Sequence, residues 1–230
     1  MKDIRADSDE KTTVLETLFA VPADKRDEGW KEAFLEAIAD ACLACRSTDA
    51  IEGADGFPYI HLHVSLPEKS LRKHTIRHLK DEILLDGGYG VAIFSGEDEP
   101  VWLFSYGDIL SFHLYGSFAA GNLRFASASD GKSFEQGEDI LVGQPSATIL
   151  PPEARKALGA FLRRHYPDPG IVLICRNGMS THELVLNCSR DKFDDEESYH
   201  SVMRGIGWFL PRGYVYRALT GEGRRFFDLL

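Results

Sequence analysis

Cys42-Leu43-Ala44-Cys45 is the first arrangement in this 230-residue chain that could do chemistry. Two thiols at that spacing supply half of a zinc site, or a redox pair where a helix N-terminus lowers the thiol pKa. A structural zinc needs four ligands, and the other cysteines, Cys175 and Cys188, stand singly in expected strands. Cys42 and Cys45 fall on the stripe of Trp30, Phe34 and Ile38, near the end of a helix expected over 27–46. That position predicts buried core thiols. The histidines are the second candidate. His61 and His63 share one face of an expected strand, and His74 and His78 one face of an expected helix. Two such pairs, brought together, would suit a transition metal. The apolar stripe of that helix, near Leu79 and Ile83, points almost opposite to His74. Packing through the stripe holds His74 away from His61 and predicts solvated or half-buried histidines. No metal and no cofactor is expected.

Other signatures fail on position. There is no Gly-x-Ser-x-Gly elbow. Gly87-Gly88-Tyr89-Gly90 is too short for a dinucleotide fingerprint and suits a helix stop. Gly131-Lys132-Ser133 imitates the end of a phosphate-binding loop, but its first glycine would fall at Ala126. Ser180, His182 and Glu183 are close in sequence, and such neighbours seldom face one another as a triad must. No catalytic residue is assigned. An enzyme with an unrecognised cleft, metal-assisted through His61 and His63, is the alternative to a binding protein.

The elements that would position these groups follow from periodicity. Residues 1–11 are expected to be a flexible lead. After the helix over 27–46, residues 59–66 alternate as a strand, Ile60, Leu62 and Val64 inward and Tyr59, His61 and His63 on a wetter face. A helix over 68–85 with Ile76, Leu79 and Ile83 inward should stop at Gly87-Gly88. A hairpin over 89–95 and 100–105, a short helix or a strand from Gly107-Asp108 to Gly116, and a strand over 122–128 complete the first part. In the second, Pro151-Pro152 starts a helix with Ala154, Ala157, Leu158, Phe161 and Leu162 inward. Strands follow over 171–175 and 183–188, joined at Asn177-Gly178. An acidic run, 191–197, begins a helix that Pro211 ends, and 214–219 is a last strand. The expected class is α+β: two small units, each helix-strand-strand-helix-strand, with helices packed on a mainly antiparallel sheet. The boundary is expected near 140, giving domains 1–140 and 141–230, with a docking tail from about 220.

The tail end of that second part also carries a resemblance. Val142-Gly143-Gln144-Pro145 leads into a helix, two short strands follow, and a helix through Trp208 closes on Leu210-Pro211-Arg212-Gly213-Tyr214. Over about the last 90 residues this order resembles the C-terminal domain of the SseB (enhanced serine sensitivity) family. The resemblance implies a small α+β module with no catalytic residue to transfer.

Composition narrows the partners. With 26 Lys and Arg against 36 Asp and Glu, the charge of −10 opposes a phosphate backbone, so nucleic acid is not expected. No stretch reaches the roughly 18 apolar residues needed to span a bilayer. The N-terminus has no signal-peptide core, so a cytoplasmic protein with reduced thiols is expected. Trp102, Tyr106, Tyr115 and Phe118, with Phe226 and Phe227 in the tail, are the candidate partner-binding residues, since aromatics concentrate at interface hot spots as well as in cores. The tail could dock on its own domain, on a second copy as a homodimer, or on another protein. The expected function is non-enzymatic protein interaction or regulation.

Overall fold

The computed structural model describes residues 4–64, 71–96, 99–118, 140–176, 181–218 and 228–230. The chain divides into two compact units, Met1–Phe118 and Ala119–Leu230. That division lies ahead of the boundary expected near 140, and a strand that begins at Ile140 pairs within the second unit.

The first unit opens with a helix, α1 (Ile4–Phe19), where a flexible lead over 1–11 was expected. Leu15 of α1 is fully buried, and Phe19 packs edge-on against Trp30 and Phe34 of α2 (Glu28–Ile38). Burial of that shared apolar face holds α1 to α2. Asp27 caps α2 by accepting from the Trp30 amide at 2.9 Å. The expected helix over 27–46 ends early because Leu43–Cys45 forms strand β1. Neighbours on both sides supply its backbone bonds, β3 (Pro58–His63) on one edge and β4 (Arg72–His74) on the other. A three-residue run buried throughout gains more from two strand partners than from another helical turn.

β4 likewise takes the first turn of the helix expected over 68–85. The helix begins after Thr75, whose hydroxyl accepts from the His78 amide, and runs as α3 (Ile76–Leu79), a π-helical turn (Lys80–Leu84) and α4 (Leu85–Gly87). The π turn inserts one residue into the stripe. Leu79 is therefore followed by fully buried Leu84, while Ile83, the expected position, is only half-buried. Gly88 ends the segment at φ 68°, as Gly87-Gly88 predicts.

β2 (Ile51–Glu52) continues β1's edge of β3, and β5 (Gly90–Phe94) lies parallel to β3 on the other side. β6 (Trp102–Phe104) pairs antiparallel with β5, completing the expected hairpin and the order β4-β1-β3-β5-β6. α5 (Tyr106–Tyr115) follows with a capping box between Ser105 and Asp108, and Gly116 closes it. The strand expected over 122–128 lies outside the described residues.

The second unit holds β7 (Ile140–Gly143), α6 (Pro152–Leu162), β8 (Gly170–Arg176), β9 (Thr181–Leu186), α7 (Glu196–Phe209), β10 (Tyr216–Ala218) and β11 (Asp228–Leu229). Its sheet runs β10-β9-β8-β11, with β7 beside β11 on the same edge of β8. Helix-strand-strand-helix-strand is present from α6 to β10, and β10 lies parallel to β9. Asp195 caps α7 by accepting from Ser198, and Phe161 of α6 meets Phe209 of α7 at 5.1 Å. That contact needs Gly205, where a Cβ would stand 2.4 Å from the Phe161 ring. Each unit thus carries helices on its own mixed, mainly antiparallel sheet. No described helix is long and apolar enough to cross a membrane.

Candidate functional site

The thiols are all free. Cys45 stands in β1, not on a helix stripe, and its Sγ meets the Ser47 carbonyl at 3.0 Å. Burial raises its pKa, against a smaller lowering from that bond. Cys42 precedes the strand, is half-buried, and donates its amide to Thr12 Oγ1 at 3.0 Å. Cys175 is likewise raised by burial, and Cys188, buried beside the Tyr166 hydroxyl, is pushed up to about 11. Raised in this way, the thiols of Cys45, Cys175 and Cys188 are poor nucleophiles and poor ligands.

Strand register decides the histidines. Paired residues share a sheet face, and successive residues alternate. Ala44 pairs with His63 on one side and Lys73 on the other. His63, and with it His61, therefore shares a face with Lys73, and His74 lies on the opposite face. His61 and His63 flank the Phe94 ring at 4.9 and 5.0 Å. His74 instead stacks with His78 at 6.5 Å, and His78 Nε2 lies 3.1 Å from Glu82. Burial lowers the pKa of His61; it also leads the lowering at His74, against Glu82. The face expected to be wetter is largely covered, with Tyr59 and His63 buried. No group of three or more His, Cys, Asp or Glu suited to a metal occurs among the described residues.

The expected partner-binding aromatics divide. Tyr106 is fully buried and donates its hydroxyl to the Leu85 carbonyl at 3.1 Å. Phe118 is buried between Phe104 and Phe112, at 4.4 and 4.6 Å. Neither presents a surface to a partner, because the core of the first unit needs both rings. Trp102 is half-buried against Trp30, Phe34 and Phe104, and Tyr115 is half-buried. The rings form one ladder: Arg26 over Trp30, then Phe34, Phe104, Phe118 and Phe112, ending under Arg77. Phe226 and Phe227 lie outside the described residues, as do Gly131-Lys132-Ser133, Asn177-Gly178 and Ser180. The chain beyond the two phenylalanines pairs with its own unit. β11 joins β8, the Leu230 amide donates to Pro169 at 2.8 Å, and Arg163 donates to the Leu230 carbonyl at 2.6 Å.

Two surfaces were not anticipated from the sequence. In β7, Leu141 is 58% exposed and Val142 46% exposed. The signal was present as Ile140-Leu141-Val142, an apolar run inside a stretch that otherwise reads as polar connector. On the far edge, β10 and α7 border an open groove. Between the edges, His182 and Glu183 fall on opposite faces of β9, so they cannot act as triad neighbours. Glu183 is buried and paired with Arg217 of β10 at 2.8 Å, on the face of Val172, Ile174 and Val185.

Charge is also divided. Met1–Phe118 carries 12 Lys and Arg against 22 Asp and Glu, and Ala119–Leu230 carries 14 against 14. The whole surplus of −10 belongs to the first unit. Comparison with family models, with curated proteins and with solved structures finds no match to this chain.

Proposed function

We propose that this chain is a non-enzymatic, cytosolic protein-interaction protein that takes an extended segment of a partner onto strand β7. The observation that carries this reading is the pair Leu141 and Val142, both exposed on a strand bonded on one edge only among the described strands. Successive strand residues point to opposite faces. An occupant covering both side chains must lie in the plane of the sheet, as an added strand does. A four-residue edge is far smaller than the roughly 1,600 Å² of a standard interface, which favours a partner segment over a second copy held by this edge alone. The surplus negative charge of the first unit favours a basic partner and speeds the encounter. An SseB-like origin for the second unit is part of the same proposal, supported by the order α6-β8-β9-α7-β10.

The test is affinity capture with the wild-type chain and the Leu141→Lys/Val142→Lys variant, across a salt series, with mass in solution measured for both. Partners retained by the wild type should be lost by the variant at unchanged melting temperature. Equal retention by both chains would overturn the assignment to β7, and a dimer dissolved by the two lysines would replace the partner with a second copy.

A further inference from the structure

The opposite edge of the same sheet is built differently. β10 has β9 as its one partner among the described strands, and its Tyr216 meets Met203 and Gly207 of α7. Strand and helix together border an open groove of about 800 Å³, lined among the described residues by Glu197, His200, Met203, Arg204 and Tyr216. That volume lies within the range of ligand sites. One wall is fixed. Tyr216 donates its hydroxyl to the Met203 carbonyl at 2.9 Å, and Gly207 makes room for it, since a Cβ there would stand 2.8 Å from the oxygen. Met203 and Tyr216 give the groove an apolar middle.

The charges flank that middle. Glu197 and Arg204 are seven residues apart, two turns of α7 within about 20°, so they share a face of the helix. Both are exposed, and neither has an ion-pair partner among the described residues. His200, between them, leans back to Glu196 at 3.4 Å. The groove thus presents a carboxylate at one end and a guanidinium at the other, with Met203, Tyr216 and the His200 imidazole between.

We infer that the groove binds an extended peptide segment as a strand added to β10, and that Glu197 and Arg204 select a cation and an anion four residues apart with an apolar residue midway. The spacing follows from the two geometries. Seven helical residues rise about 10.5 Å. Side chains on one face of a strand recur about every 6.6 Å, so the next-but-one position, at about 13 Å, is the closer match. The preferred pattern is Lys-x-apolar-x-Asp, with the lysine at Glu197. This inference rests on the interaction reading but uses the other edge of the sheet.

The probes are two labelled nonapeptides of one composition, centred on Lys-Thr-Val-Thr-Asp and on Asp-Thr-Val-Thr-Lys, titrated against the full chain by fluorescence anisotropy. Held antiparallel to β10, the more stable pairing, the first should bind about tenfold tighter, because two exposed pairs are attractive with it and repulsive with the other. The Glu197→Arg/Arg204→Glu variant, which keeps net charge and alters only exposed positions, should invert the preference. Methylating alternate backbone amides of the first peptide should abolish its binding. Equal affinities, a preference that survives the charge swap, or no binding of either peptide would overturn the inference. If the peptides fail while captured partners still depend on Leu141 and Val142, only the groove falls; if both fail, the interaction reading falls with it.

Discussion

Replacing Phe34 by alanine should cost the first unit a large part of its stability. Phe34 is fully buried, stacked on Trp30 at 5.2 Å and 7°, and packed on Phe19, Trp102 and Phe104 at 5.6, 4.8 and 6.1 Å. Truncating such a ring costs about 3–5 kcal/mol, set against a whole-domain stability of about 5–15 kcal/mol. Phe34→Leu keeps most of the apolar volume and loses chiefly the ring–ring contribution, about 0.5–1.5 kcal/mol per pair beyond area, so it should fall between wild type and alanine. With a urea dependence of about 2 kcal/mol per molar, the alanine midpoint should drop by roughly 2 M. Trp30 and Trp102 belong to the first unit and Trp208 to the second. Tryptophan emission in a Trp208→Phe background therefore reports the first unit alone. A shift no larger than that of Glu32→Ala, an exposed substitution expected within about 0.5 kcal/mol, would refute the claim that the ring ladder holds this unit.

Two further outcomes follow from charge and burial. Arg77 donates from Nε and Nη2 to the two Asp40 oxygens at 2.6 and 2.9 Å, tying the end of α2 to α3, and that bond leads in holding the Asp40 carboxyl below 3.8. A carboxylate with a lowered folded pKa stabilises above its unfolded value and loses that contribution as pH falls through the folded value. Asp40→Asn should therefore be less stable than wild type at neutral pH, and urea midpoints should converge as pH falls below the usual carboxylate range; a gap unchanged in acid would contradict the pairing. In the folded chain at about pH 8, iodoacetamide should modify Cys42 first and Cys188 last, with all four cysteines alike in denaturant. Peptide mass spectrometry giving equal native rates for Cys42 and Cys188 would show that the latter is not enclosed.

The sequence by itself determined what acts within a few residues. Asp27 and the acidic run ending at Glu197 marked helix starts, Gly88, Gly116 and Pro211 marked stops, and the period of Val91 to Phe94 and of Ile171 to Cys175 marked strands. Caps and hydrophobic periods are local, so they survive in a string of letters. Tertiary structure decided whatever depended on a distant partner. Leu43–Cys45 left its helical stripe because β3 and β4 satisfy its backbone on both sides, and Arg72–His74 became a strand for the same reason. The π turn moved the buried position from Ile83 to Leu84. Strand register separated His61 and His63 from His74, while packing in the first unit buried Tyr106 and Phe118 and the edge position of β7 left Leu141 and Val142 exposed. Pairing joins residues far apart in the chain, and a one-residue change of register exchanges the buried and exposed faces, so which side chains reach a partner is fixed only when the strands meet.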